Sequence, residues 1–196
     1  MLITKTLPKV IEADGIADIM ELKQIPFGNN FYTTKECGGA PYDPLKRHCW
    51  AGKCVVKSPA ADCFAGKIVS QHGDEEKNIN RMQACGKWQN TTWQDYWPFL
   101  ECMESAYETQ GIAAAKECVK GSKIDYDALE ACYKGEDGNL AQIREAKQTV
   151  DHEGTPSITI GGKAFTGFDA DPFIKAVCDA YAGSKPAGCK SSTLVV

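Results

Sequence analysis

Ten cysteines in 196 residues constrain this chain more than any other feature: Cys37, Cys49, Cys54, Cys63, Cys85, Cys102, Cys118, Cys132, Cys178 and Cys189. An even set at this density is a liability in a reducing cytosol and a covalent framework in an oxidising compartment, so the ten read as disulfides. Zinc would compete for the same sulfurs. The chain has no Cys-x2-Cys pair, however, and no closely spaced pair among His48, His72 and His152, so neither a metal nor another cofactor is expected. Asn90-Thr91-Thr92 is an N-glycosylation sequon and fits the same secretory compartment, with Asn90 as the acceptor.

Composition matters mainly for what it excludes. A hydrophobic content of 43% with 24% charged residues is that of a globular domain rather than a disordered or collagenous one. A formal net charge of -4 gives no drive toward nucleic acid or an anionic membrane surface. No apolar run approaches the roughly 20 residues of a membrane-spanning helix, so no membrane partner is expected. The length suits one domain, residues 1–196, with an insertion at residues 31–150.

Along the chain, Ile3, Leu7, Val10 and Ile11 mark one helical face, with Pro8 expected to begin or kink the helix. Met1 to Val10 has no charged n-region, apolar h-region or cleavage site, and reads as the interior of a folded domain. The expectation is that residues precede it. Asp14-Gly15 turns the chain into an apolar segment, Ile19 to Phe27, read as a strand that ends at Gly28-Asn29-Asn30. Residues 31–69 hold four cysteines among many Gly and Pro, a looped excursion expected to have little core and to depend on its disulfides.

From Gln71 to Val150 the period is helical, clearest at Phe99, Cys102, Met103, Ala106 and Tyr107 and again at Tyr126, Leu129, Cys132 and Tyr133, which predicts four or five short helices. Trp88, Trp93 and Trp97 fall at helical spacing and read as core or rim rather than a ligand box. Ser157 to Ile160, Gly161-Gly162 and Lys163 to Thr166 read as a tight hairpin. A helix from about Asp171 to Tyr181 follows, with Pro172 in its first turn and Gly183 as its stop. Cys178 with Cys189 is a local pairing candidate across the Gly183 to Gly188 turn. This order is that of an α/β (α+β) chain: a thioredoxin-like sheet with a helical, disulfide-rich insertion, its first strand apparently missing.

Residues 70–85, SQHGDEEKNINRMQAC, resemble the signature of the gamma-interferon-inducible lysosomal thiol reductase (GILT) family, C-Q-H-G-x2-E-C-x2-N-x4-C. Gln71, His72, Gly73, Glu76, Asn80 and Cys85 stand in register with it, whereas Ser70 and Lys77 occupy two positions where the pattern has cysteine. Ile25-Pro26-Phe27-Gly28-Asn29, Glu130-Ala131-Cys132, Thr155-Pro156 and the ending through Lys185-Pro186 to Cys189 extend the resemblance to nearly the whole chain outside residues 31–69.

The resemblance implies reduction of disulfides in disulfide-containing or unfolded protein substrates, in a secreted or lysosomal setting. That chemistry needs an attacking thiolate of lowered pKa and a nearby resolving thiol, which Cys-x-x-Cys at a helix N-terminus supplies. No Cys-x-x-Cys occurs in the chain, and no catalytic residue is assigned. In the family the motif opens the helix corresponding to Met1 to Ile11, so it would lie just before Met1. Cys49 and Cys54 are the nearest internal substitute. Thr155 and Pro156 are the candidate substrate-binding residues, since the resemblance implies a cis proline there facing the dithiol; His72 reads as a helix-start hydrogen-bonding residue. A redox-inactive polypeptide-binding module, or a purely structural secreted domain, is the alternative.

Overall fold

A computed structural model describes residues 1–89 and 92–191. Asn90 lies outside the described residues, and the glycosylation expectation with it. In chain order the elements are α1 (Leu7–Glu12), β1 (Phe31–Tyr32), α2 (Pro44–Cys54), β2 (Ile68–Val69), α3 (Asp74–Lys87), α4 (Trp93–Ser105), α5 (Ala115–Cys118), α6 (Tyr126–Lys134), α7 (Glu136–Ala146), β3 (Ile158–Ile160), β4 (Lys163–Phe165), α8 (Ala170–Ala180) and α9 (Gly188–Ser191). They form two compact units, one of residues 24–155 and one of residues 1–23 with 156–196.

In the smaller unit α1 packs on α8. Leu7, Val10, Phe173, Ile174 and Val177 are buried there. Pro8 sits in the first turn of α1, where a missing N–H costs nothing, preceded by a single π-type turn at Leu2–Thr6. The β3–β4 hairpin pairs Ile158 with Phe165 and Ile160 with Lys163. Gly161 and Gly162 take φ of 56° and 78° between them, the positive values that a two-residue hairpin loop demands and that glycine adopts without strain. The Cys178–Cys189 bridge forms as the local spacing suggested.

In the larger unit α3 is the hub, packing on α4, α6 and α7. Three acidic residues in its first turn and Lys87 in its last match the helix dipole. Cys85–Cys132 ties α3 to α6, and Cys102–Cys118 ties α4 to α5. The helical block therefore follows the periodicity of the sequence. Trp97 is buried in α4, and the Arg144 guanidinium lies 4.2 Å over the Trp88 ring.

Residues 31–69 depart from expectation. Instead of a coreless excursion they enclose an aromatic core of Phe31, Tyr32 and Trp50, joined by Phe27, with Phe64 packed against it. The Phe27 and Tyr32 rings stack at 5.9 Å, and Trp50 meets Phe64 edge-on at 6.1 Å. Helix α2 runs through the middle of the segment. Asp43 caps it by accepting from the Leu45 N–H at 2.8 Å, and Pro44 occupies its first turn. Cys37–Cys49 and Cys54–Cys63 fasten this helix at its middle and at its C-terminal end, so the bridges supplement a core rather than replace one.

The strand expected at Ile19 to Phe27 does not form. Residues 17–19 make a 3-10 turn and residues 20–25 form no strand. Pro26 has no N–H to give a ladder, and the Gln24 carbonyl accepts from Lys87 Nζ at 2.5 Å. The pairing falls instead to β1 and β2, as Phe31 with Val69 and Tyr32 with Ile68. Two separate two-stranded antiparallel sheets are the only sheets among the described residues. The expected cis bond at Thr155–Pro156 is also absent: the cis X-Pro bond among the described residues is Ala40–Pro41, and Thr155–Pro156 keeps the trans form that X-Pro bonds ordinarily prefer. No helix among the described residues is long and apolar enough to cross a membrane.

Candidate functional site

The signature residues act on one another and on the loop before β1. Glu76 reaches back from the first turn of α3 to accept from the His72 N–H at 2.9 Å, the arrangement that satisfies a helix-start donor. The His72 ring stands 3.5 Å from the same carboxylate and is largely exposed, in keeping with its reading as a helix-start residue. Gln71 accepts from Asn29 Nδ2 at 2.6 Å, and Asn80 donates to the Phe27 carbonyl at 3.4 Å. Between them Gly28 turns with φ 58°, and a Cβ there would lie 3.1 Å from Glu76 Oε1 and 3.7 Å from Asn80 Nδ2. The motif at 70–85 and the loop at 25–29, distant in sequence, thus form a single clamp.

Two departures from the family pattern have their own surroundings. The Ser70 hydroxyl is shut away from solvent and has no hydrogen-bond partner among the described residues. Lys77 pairs instead with Asp74, one turn earlier on the exposed side of α3. Neither is placed for redox chemistry.

Helix α2 faces the clamp with a buried cation. Arg47, 3% exposed, donates from Nη1 to Asp151 Oδ1 at 2.8 Å and to the His152 carbonyl at 2.9 Å, while its Nη2 lies 2.8 Å from His152 Nδ1. His48 Nδ1 meets the same Asp151 oxygen at 2.8 Å. The far nitrogen of His152, Nε2, lies 3.0 Å from Asn29 Oδ1, which joins this cluster to Gln71 of the signature. Burial holds the His152 imidazole below its usual pKa and the Arg47 and His48 charges add to that, against the opposing pull of the Val150 carbonyl and Asp151.

These side chains open onto a cavity of about 360 Å³ lined by Asn29, Tyr42, Arg47, His48, Gln71, His72, His152 and Thr155 among others. All three histidines of the chain are on its wall. Of the expected substrate-binding pair, Thr155 lines the cavity as the last residue of the larger unit, and Pro156 opens the smaller unit. No cluster of metal-ligating side chains occurs among the described residues. Cys49 and Cys54 do not pair with each other: Cys49 is bridged to Cys37 and Cys54 to Cys63, and none of the ten cysteines is free. The internal substitute dithiol is therefore already committed to structure.

Arg47, Asp151 and His152 escaped the sequence reading. The Asp43-Pro44 helix start was a usable signal for α2 and hence for the face that carries Arg47 and His48. Nothing local marks Asp151 and His152, because their partners stand more than a hundred residues away.

Residues 49–122 match the family model described as gamma interferon inducible lysosomal thiol reductase (GILT). The match contains the whole 70–85 motif. The match supports membership of the GILT family. It is 31% identical over 136 residues to the gamma-interferon-responsive lysosomal thiol protein of Arabidopsis thaliana, covering 64% of this chain and 54% of that protein. It is 28% identical over 131 residues to the gamma-interferon-inducible lysosomal thiol reductase of Carassius auratus, covering 62% and 51%. The chain thus spans about half the length of the curated relatives it matches. The GILT match begins at Cys49, inside the excursion that the motif comparison had set apart, so α2 from Cys49 onward belongs to the matched region.

Proposed function

We propose that this GILT-family chain is part of a thiol reductase acting on protein disulfides in the secretory pathway or lysosome, and that its exchanging dithiol is not among these 196 residues. The signature in register from Gln71 to Cys85 carries the reading, since it supports a thiol reductase while Ser70, Lys77 and the five bridges leave these residues no free thiol. The reaction is disulfide exchange. A thiolate attacks one substrate sulfur and expels the other as a thiolate; the second thiol of the pair then displaces the mixed disulfide, so the substrate leaves reduced and the pair oxidised. In this reading Thr155 and the cavity beside it receive extended polypeptide next to the target disulfide.

The alternative is a redox-inactive polypeptide-binding or structural domain of the secretory pathway, favoured by the full pairing of all ten cysteines. A chimera separates the two. The family's strand and Cys-x-x-Cys segment, joined ahead of Met1, is expected to confer insulin reduction that vanishes when both added cysteines are replaced by serine. A chimera that folds with its five bridges intact but reduces no insulin would favour the inactive domain.

A further inference from the structure

Among the ties that hold residues 152–155 against α2 and the signature clamp, one ring nitrogen of His152 has two competing partners. His152 Nδ1 lies 2.8 Å from Arg47 Nη2 and also 2.8 Å from the Val150 carbonyl oxygen. Without a proton Nδ1 accepts from Arg47; with one it can donate only to Val150, and then confronts a guanidinium that has no lone pair to offer. Both bonds cannot be made at once.

The other ring nitrogen decides which holds. Nε2 carries the hydrogen if it is to bond Asn29 Oδ1 at 3.0 Å, so the neutral ring is the tautomer whose Nδ1 accepts from Arg47. In that state an unbroken series of donors runs from Arg47 to His152, from His152 to Asn29 and from Asn29 to Gln71, at 2.8, 3.0 and 2.6 Å. Arg47 cannot step aside on protonation, because it is buried and its Nη1 is held by Asp151 and the His152 carbonyl.

We propose that His152 is a proton-operated latch that, when neutral, holds residues 152–155 against α2 and the signature clamp and, when charged, releases them. The charged and titratable groups around it come from several segments. Helix α2 presents Arg47 and His48, the segment itself Asp151 and Glu153, the signature turn His72 with Glu76, and the loop before α2 Tyr42. Asp151 is held separately, with Arg47 Nη1 and His48 Nδ1 each 2.8 Å from its Oδ1. The release therefore concerns the chain beyond Asp151 and leaves Asp151 tied to α2.

The sign follows from linkage. Burial and Arg47 lower the His152 pKa in the latched state, so latching is favoured fully above the ordinary histidine pKa of about 6.5 and weakens as pH falls below it. Thr155 lies at the end of the freed segment. On the reductase reading, an acidic lumen would loosen the substrate-binding edge; the latch itself does not depend on that reading.

The test is NMR on the intact 196-residue chain, following the His152 ring together with the Gly154 and Thr155 amides between pH 7.0 and 5.0. The ratio of released to latched molecules, from amide shifts and relaxation dispersion, is expected to rise by up to about 25-fold, a ceiling set by a free histidine pKa of about 6.5. Its midpoint should coincide with the His152 titration. His152→Gln, which accepts from Arg47 and donates to Asn29 without titrating, should abolish the pH dependence. Amides that ignore the His152 titration, or a folded His152→Gln variant with the wild-type pH dependence, would overturn the latch. If that variant does not fold, the wild-type midpoints decide alone.

Discussion

Lys87 Nζ lies 2.6 Å from Glu145 Oε2, and the carboxylate it meets has no solvent exposure at all. The pair joins the last turn of α3 to α7, and Lys87 also donates to the Gln24 carbonyl at the start of the larger unit. The second carboxylate oxygen, Oε1, has no hydrogen-bond partner among the described residues, and Arg144 Nε stands 3.4 Å from it. Lys87 is therefore the cation that hydrogen-bonds the Glu145 carboxylate, with Arg144 as a longer ion-pair partner.

Removing one partner of a buried pair leaves a charge in a medium that solvates it poorly, at a cost of about 3 to 5 kcal/mol. Lys87→Met is expected to lose that much in urea denaturation of the chain. The double variant Lys87→Met, Glu145→Met should recover a large part of the loss, because two apolar groups need no compensation. A single-variant loss below about 1 kcal/mol would mean that water reaches Glu145.

The two bridges of the helical block differ in the loop they close. Cys85–Cys132 spans 47 residues and Cys102–Cys118 spans 16, so loop-closure entropy assigns the first about 4 kcal/mol and the second about 3 kcal/mol. Replacing each pair by alanine should destabilise the larger unit in that order, measured by chemical denaturation. The reverse order would show that packing around α5 outweighs chain entropy.

At Ser70 the expectation runs the other way. A hydroxyl sequestered from water without a partner contributes a desolvation cost and no bond. Ser70→Ala should leave the melting temperature unchanged or raise it, by scanning calorimetry. A fall of several degrees would reveal a hydrogen bond to Ser70.

What the sequence disclosed was the structure whose causes are local. The Gly161-Gly162 loop needs positive φ at both residues, Pro172 falls in the first turn of α8 with Gly183 beyond its end, and Cys178 finds Cys189 across a short turn, so hairpin, helix and bridge were all legible. The aromatic core was not. Phe27, Phe31, Tyr32, Trp50 and Phe64 are scattered among Gly and Pro with no period, and they converge only after two bridges and α2 have folded the segment back. The misread strand at Ile19 to Phe27 shows the converse error: apolar residues there are real, but Pro26 and the Lys87 bond to Gln24 remove the ladder. Of the cavity, Gln71, His72 and Thr155 were named from motif, whereas Arg47 and His152 meet across 105 residues and left no local trace.

The account rests on the thiol chemistry lying outside these residues, and the direct measurement is insulin reduction by the 196-residue chain itself, refolded with its five bridges and supplied with a small-thiol reductant. The expected rate equals that of the reductant alone at every chain concentration. A rate that rises in proportion to the chain would contradict the account, because one of the five structural bridges would then have to be exchanging.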